Sequence, residues 1–192
     1  MQKRTVTSNY YCEHLVLTRK TNEEIDEFMI SKHPEGKGLM DYLQQQAIHD
    51  ENNGLAKTYL VRDRITDELA GYFTLRAGGV KLEYIHHGEY GMYPGIELAY
   101  FAVNEKYIDK YPDYKGIGLL IFNDFIIPIA EEISEKIGVR GIFGYAVNDT
   151  TLLEHYINNY GFKRLDVESE TMIHNSFRPA TDDGCTFIYL DI

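Results

Sequence analysis

The stretch Tyr114-Lys115-Gly116-Ile117-Gly118-Leu119-Leu120 follows the apolar run Ile96-Glu97-Leu98-Ala99-Tyr100-Phe101-Ala102-Val103. It opens a segment in which Ile117, Ile121, Phe125, Ile129, Ile133 and Ile137 recur every four residues. That spacing predicts a helix over 116–137, ended by Gly138. Pro128 lies inside it and removes the bond to Asp124, so a kink is expected there. A second apolar run, Gly141 to Val147, follows. Strand 96–103, helix 116–137 and strand 141–147 form a crossover unit, whose strands must be parallel and whose hand should be right. Two near-adjacent glycines at the start of a helix also leave backbone N–H groups that no helical carbonyl can satisfy. An anion can approach them closely, and the helix dipole favours negative charge there. The residues Tyr114 to Leu119 therefore read as a pyrophosphate cradle.

The remaining pattern surrounds this unit. Tyr10 to Leu17 reads as a first strand. Thr21-Asn22-Glu23-Glu24 has the form of a capping box before a helix carrying Ile25, Phe28 and Met29. A second helix is expected from Leu39 to about His49, with Leu39, Leu43 and Ala47 on one stripe and Asn52-Asn53-Gly54 as its stop. Ala56 to Arg62 and Leu69 to Leu75 read as an antiparallel hairpin that Gly78-Gly79 ends. Residues 80–95, with several glycines and Pro94, are expected to be an irregular loop holding at most a short strand at Leu82 to His86. Residues 104–115 are expected to be a polar loop. Asp149 or Thr150 could cap a short helix carrying Leu153, Tyr156, Ile157 and Tyr160. Gly161 would end it, Phe162 to Leu165 would start another strand, and Thr186 to Leu190 could close the sheet.

The chain has 192 residues, enough for one domain with a sizeable core, and 44% of them are hydrophobic. No internal repeat, secretory leader or spanning segment is visible, and a membrane is not expected. Two cysteines, Cys12 and Cys185, read as reduced thiols, which places the protein in the cytoplasm. The formal net charge of −11 weighs against non-specific nucleic-acid binding; it either favours a cationic or amine-bearing partner or serves only solubility. His86-His87 cannot easily share one ion, since adjacent strand residues point to opposite faces, and no Cys/His cluster has ligand spacing. A metal is therefore not expected. A dinucleotide fingerprint would need a third glycine after Gly116-Ile117-Gly118, and a P-loop would need Gly-Lys-Ser/Thr; both are missing.

The element order, with a glycine pair opening the central helix, resembles the GNAT acyl-CoA N-acyltransferase superfamily. The family's phosphate motif is Arg/Gln-x-x-Gly-x-Gly/Ala. Its end is intact as Gly116-Ile117-Gly118, but Asp113 occupies the first position. That acid would repel a pyrophosphate, leaving the work to backbone N–H groups, with Lys115 as a compensating charge. Asn148, Tyr156 and Gly161-Phe162 resemble the family's pattern after its fifth strand, and Leu69-Ala70-Gly71-Tyr72-Phe73-Thr74-Leu75 its second-to-third strand region. The resemblance covers roughly residues 55–165. It implies an α/β (α+β) fold: a mixed, mostly antiparallel sheet whose fourth and fifth strands splay apart, with helices on both faces. On this reading 1–192 is a single domain, with an N-terminal strand and two helices at about 10–50 and a coenzyme A-binding core at about 55–165.

The resemblance further implies an N-acetyltransferase that uses acetyl-CoA as acyl donor, needs no metal, and moves acetyl to a primary amine by direct attack in a ternary complex. Acyl transfer needs a neutral amine, a polarised carbonyl and a proton for the departing thiolate. Glu97 resembles the family's general base; the alternative is a strand glutamate facing solvent. Tyr156 resembles its general acid; the alternative is a core tyrosine. Phe101, Ala102 and Val103 would pair with the pantetheine arm as an added strand does. Asn148 would sit at the mouth of the splay, or would simply cap a helix. A small-molecule or peptide amine is the expected acceptor, nucleic acid is the less expected one, and a homodimer is open. Asp113 favours a rival, a GNAT-fold module that holds acyl-CoA or a protein partner without catalysis. A narrower rival is a toxin-type enzyme that acetylates aminoacyl-tRNA.

Overall fold

The computed structural model describes residues 5–6, 9–32, 36–84, 89–176 and 185–192. In chain order the strands are β1 (Thr5–Val6), β2 (Tyr10–His14), β3 (Lys57–Asp63), β4 (Leu69–Tyr84), β5 (Glu89–Val103), β6 (Gly141–Val147) and β7 (Cys185–Asp191). The helices are α1 (Arg19–Asp26), α2 (Gly36–Asp41), α3 (Ala47–Asn53), α4 (Glu105–Lys110), α5 (Ile117–Ile121), α6 (Ile127–Ser134), α7 (Thr150–Tyr160) and α8 (Val167–Ser176). The chain divides into two compact units, Met1–Arg76 with Ala99–Ile126, and Ala77–Leu98 with Ile127–Ile192. Strands β4 and β5 each run from one unit into the other. His86-His87 lies outside the described residues.

In the first unit, β2 pairs antiparallel with β1 and β3, and β3 pairs antiparallel with β4. The β3–β4 turn closes on Asp63, whose Oδ1 accepts the amides of Ile65 at 2.7 Å and Thr66 at 3.2 Å. Helix α1 is capped by Thr18 rather than Thr21: the Thr18 hydroxyl oxygen accepts the Thr21 amide at 3.0 Å. Thr21, placed one turn inside, is buried. The second predicted helix is longer than its spacing indicated. Helices α2 and α3 flank a π-helical turn, Tyr42–Gln46, and Gly54 ends the run at φ +68°. The unit's core joins Ile25, Phe28, Tyr42, Leu43, Ala47, Leu60, Leu69 and Tyr72. Each fully buried side chain of this size contributes roughly 1.5–3 kcal/mol relative to exposure.

The predicted loop 104–115 contains α4. Asn104 caps it, accepting the Lys106 amide at 3.2 Å, while its own Nδ2 donates to the Leu69 carbonyl at 2.9 Å. Helix α5 passes into a second π-helical turn, Phe122–Ile126, just before Pro128. Proline has no amide hydrogen to bond the Asp124 carbonyl, and the widened turn accommodates that gap. The expected disturbance thus lies in the turn preceding the proline. It also shifts the buried stripe. Ile117, Ile121 and Phe125 are buried as predicted, but the next deeply buried positions are Ile126 and Ala130, not Ile129 and Ile133.

In the second unit the sequence expectation for 80–95 fails. Residues 80–84 and 89–95 continue β4 and β5. Gly78 and Gly95 do not break these strands; they make room. A Cβ on Gly78 would lie 2.6 Å from the Phe143 ring, and one on Gly95 2.7 Å from it. Strand β6 has the predicted bounds. It pairs antiparallel with β7 along its whole length, and parallel with β5 over its first three residues. The expected strand at 162–165 is reduced to one bridge, Lys163 with Tyr189. Helix α8, not anticipated, buries Ile173 against Val80, Phe143 and Phe187.

Candidate active site

The first unit contains the glycine pair. Gly116 takes φ +74°, ψ +21°, a left-handed conformation that suits glycine, and it supplies no side-chain cap. The first helical bond is Leu120 N–H to the Gly116 carbonyl at 3.0 Å. The amides of Ile117, Gly118 and Leu119 precede it, so no helical carbonyl faces them. A Cβ on Gly116 would meet nothing within 4 Å, so the space in front of the turn is open. Gly116 and Leu119 are exposed, as are Asp113 and Lys115. This end of the helix can take an anion on backbone amides alone.

The chain enters this turn over a ladder of tyrosines. Tyr107, Tyr111 and Tyr114 lie ring on ring, with centroids 4.9 Å apart for the first pair and 5.6 Å for the second. The first two are tied to the β3–β4 turn. The Tyr107 hydroxyl donates to Asp63 Oδ2 at 2.5 Å and the Tyr111 hydroxyl to Glu68 Oε2 at 2.7 Å. Burial pushes the Asp63 carboxyl up, but the Tyr107 hydroxyl and the turn amides outweigh it and hold the group ionised below its usual range. Sequence reasoning singled out Tyr114 and missed Tyr107 and Tyr111. Their i, i+4, i+7 spacing was the available signal.

Strand β5 carries the other candidates of this unit. Ala102 is buried, while Phe101 and Val103 are half-buried. Opposite them, Gly71 on β4 is required by close approach. A Cβ there would lie 2.8 Å from the Ala102 carbonyl oxygen and 2.9 Å from Ile121 Cδ1. Beyond Val103, the buried Glu105 carboxylate accepts the Ser31 amide and hydroxyl, each at 2.8 Å, and the Lys32 amide at 3.0 Å. Burial pushes its pKa up, yet these bonds prevail and keep it below the ordinary value.

The second unit holds Glu97, Asn148 and Tyr156. The β5–β6 ladder has three pairs only, from Gly95 with Gly141 to Glu97 with Phe143. Beyond that pair β5 runs on to Val103 and β6 to Val147 without further pairing to each other. Glu97 is therefore not near the start of its strand, as the sequence indicated, but at the point where the ladder ends. Its side chain is half-buried.

Asp149, not Asn148, caps α7. Asn148 is exposed, and its Oδ1 accepts the Thr186 hydroxyl at 3.3 Å. Tyr156 lies half-buried in α7, its ring edge-on to Phe162 at 5.8 Å and tilted against Tyr160 at 5.5 Å. Its hydroxyl has no hydrogen-bond partner among the described residues. Burial, with a smaller contribution from the Tyr160 phenol, pushes its pKa up to about 12. Such a group stays protonated at neutral pH and has a proton to give. Gly161, at φ +75°, ends the helix by donating its N–H to the Tyr156 carbonyl. Among the described residues no group of His, Cys, Asp and Glu is placed to hold a metal ion.

No family model matches the sequence. Solved structures do, over nearly the whole chain. The toxin AtaT complexed with acetyl-methionyl-tRNAfMet matches with a TM-score of 0.65 at 14% identity, covering 95% of this chain and 94% of that one. A mutant AtaT toxin bound to the C-terminus of the antitoxin AtaR and acetyl-CoA matches at 0.60, with 16% identity and coverage of 95% and 92%. A tyrosine-to-phenylalanine mutant of KacT matches at 0.57, with 14% identity and coverage of 96% and 95%. These are GNAT-fold structures, and the chain has the GNAT fold: a mixed, mostly antiparallel sheet with one parallel pair of strands, β5 and β6.

Proposed function

We propose that this GNAT-fold chain is an N-acetyltransferase that moves the acetyl group of acetyl-CoA to a primary amine by direct attack in a ternary complex. The observation that carries the reading is the early end of the β5–β6 ladder at Glu97 and Phe143. On this reading Phe101, Ala102 and Val103, on the part of β5 beyond that ladder, border the pantetheine arm, which lies along them as an added strand would. The amides of Ile117, Gly118 and Leu119 receive the diphosphate, with Tyr114 and Lys115 beside them. Asn148, released from capping, lies where β6 ends. Glu97 takes the proton from the amine, directly or through water, as the C–N bond forms. Tyr156 gives its proton to sulfur as the C–S bond breaks.

The acceptor is an amine of small or peptide type, or the amino group of an aminoacyl-tRNA. The second alternative gains weight from the match to AtaT complexed with acetyl-methionyl-tRNAfMet. It also weakens the argument from net charge, because nucleic-acid contact needs only a local set of cations. A cytoplasmic setting stays part of the proposal, since Cys12 and Cys185 form no disulfide. No described helix is long and apolar enough to cross a membrane.

Calorimetry with acetyl-CoA, together with thiol release over a panel of amines, peptides and aminoacyl-tRNA, tests the reading. Binding followed by turnover on one acceptor class is the expected result. Binding without turnover on any of them would favour the non-catalytic module that Asp113 invites, and absence of binding would remove both.

A further inference from the structure

We infer that Tyr114 is the platform on which the adenine ring of coenzyme A stacks, so that the chain selects a nucleotide-bearing acyl carrier over a bare phosphopantetheine one. This rests on the acetyl-CoA reading above and adds a base-recognition site to it. Tyr114 is 42% exposed, and its hydroxyl makes no hydrogen bond with the described residues. Its exposure is not matched by looseness. One face of the ring is backed by Tyr111 at 5.6 Å and an interplanar angle of 22°. Tyr111 is fixed in turn by its bond to Glu68, and Lys110 Nζ lies 5.3 Å from its ring centroid. The Tyr114 amide donates to the Tyr111 carbonyl at 3.0 Å, which sets the backbone as well.

A ring held by its neighbours yet partly exposed loses little conformational freedom when a second ring covers it. The position also suits the ligand. Gly116 lies two positions after Tyr114, a reach of at most about 7 Å. In coenzyme A a single ribose separates adenine from the diphosphate. Leu119, 38% exposed on the first helical turn, adds apolar surface two residues beyond the glycine turn's first amide. Among the described residues the ring neighbours of Tyr114 are Tyr111 and, at 6.3 Å, Tyr107, whereas the hydroxyls of Tyr107 and Tyr111 are both taken up by carboxylates.

The test compares coenzyme A with 4′-phosphopantetheine by calorimetry on the full chain. Tyr114→Ala should weaken coenzyme A binding about tenfold, the ~1.4 kcal/mol of one stacked base, and leave phosphopantetheine binding as in the parent. Tyr114→Phe should keep both affinities, because stacking uses the ring and not the hydroxyl. The chain has no tryptophan, so Tyr114→Trp introduces a single reporter. Its emission should be quenched by coenzyme A and by adenosine 3′,5′-bisphosphate, and not by phosphopantetheine. Equal weakening of both ligands in Tyr114→Ala, or a tryptophan blind to the adenine-bearing ligands, overturns the assignment. A parent protein that binds neither ligand overturns the acetyl-CoA reading itself, a different failure and visible as such.

Discussion

The Asp149 carboxylate caps α7 by accepting the Leu152 amide at 2.9 Å, one residue after Asn148, which bonds Thr186 instead. Two neighbouring polar residues thus do separate jobs. Asp149→Ala should lose about 1 kcal/mol of stability, a drop of roughly 2–4 °C in Tm, with acetyl-CoA affinity little changed. Asn148→Ala should show the opposite pattern, with Tm held and affinity reduced. Thermal unfolding and calorimetry on the two variants check this, and a Tm loss confined to Asn148→Ala would reverse the assignment.

Tyr156→Phe should lower kcat about a hundredfold while coenzyme A binds as before, because only the proton is removed. The pH profile carries the sign. With a pKa of about 12 the phenol is protonated throughout neutral and mildly alkaline solution. The kcat of the parent should therefore show no alkaline fall near 10, where an ordinary tyrosine would lose its proton. A measured kcat–pH curve that drops at that point would contradict the acid role or the burial that sustains it.

Two glycines of the first unit should respond differently to a methyl group. Gly71→Ala drives a Cβ to within 2.8 Å of the Ala102 carbonyl and should cost about 1–3 kcal/mol in urea unfolding. Gly116→Ala meets no neighbouring atom and carries only the cost of a left-handed conformation, about 1 kcal/mol. Its larger effect should be on acetyl-CoA affinity, since on the proposed reading the methyl would stand in the diphosphate's approach.

Glu105→Gln should destabilise the chain at about pH 7, by roughly 1 kcal/mol, through weaker bonds to Ser31 and Lys32. The folded-state pKa is held below the ordinary 4.5. A depressed carboxyl pKa adds stability above the unfolded value, and that stability is lost as pH falls through the folded one. The gap between parent and variant should therefore close in acid. Unfolding measured across the acidic range would show it, and a gap that widens in acid would refute the assignment.

Much of this arrangement was legible in the sequence, for identifiable reasons. Strand β6, the cap at Asp149, the stop at Gly161 and the parallel β5–β6 pair follow from local pattern and connection rules. What escaped was decided by contacts between distant residues. Gly78, Gly79 and Gly95 have the composition of a loop, but Gly78 and Gly95 lie under the Phe143 ring, and a Cβ on Gly79 would reach Met92 Sδ at 2.6 Å. Thr18 and Thr21 compete for one cap, and the chosen residue is the one that leaves Thr21 inside. Helix α8 buries Ile173 while Val167 stays at the surface, so no periodic stripe announced it. Of the site, the residue types were readable and the tyrosine spacing offered a signal that went unused; the ladder's end at Glu97 was not readable.

Phe143 fills a notch cut by two absent side chains, those of Gly78 and Gly95, and stands directly across from Glu97. These positions can vary only together. A bulkier residue at either glycine evicts the aromatic ring, and a smaller residue at 143 leaves a hole that neither glycine can plug. Evolution must therefore change them as a set or keep them all, and a drifting descendant that altered one would shift the strand carrying the proposed base before any substrate arrived.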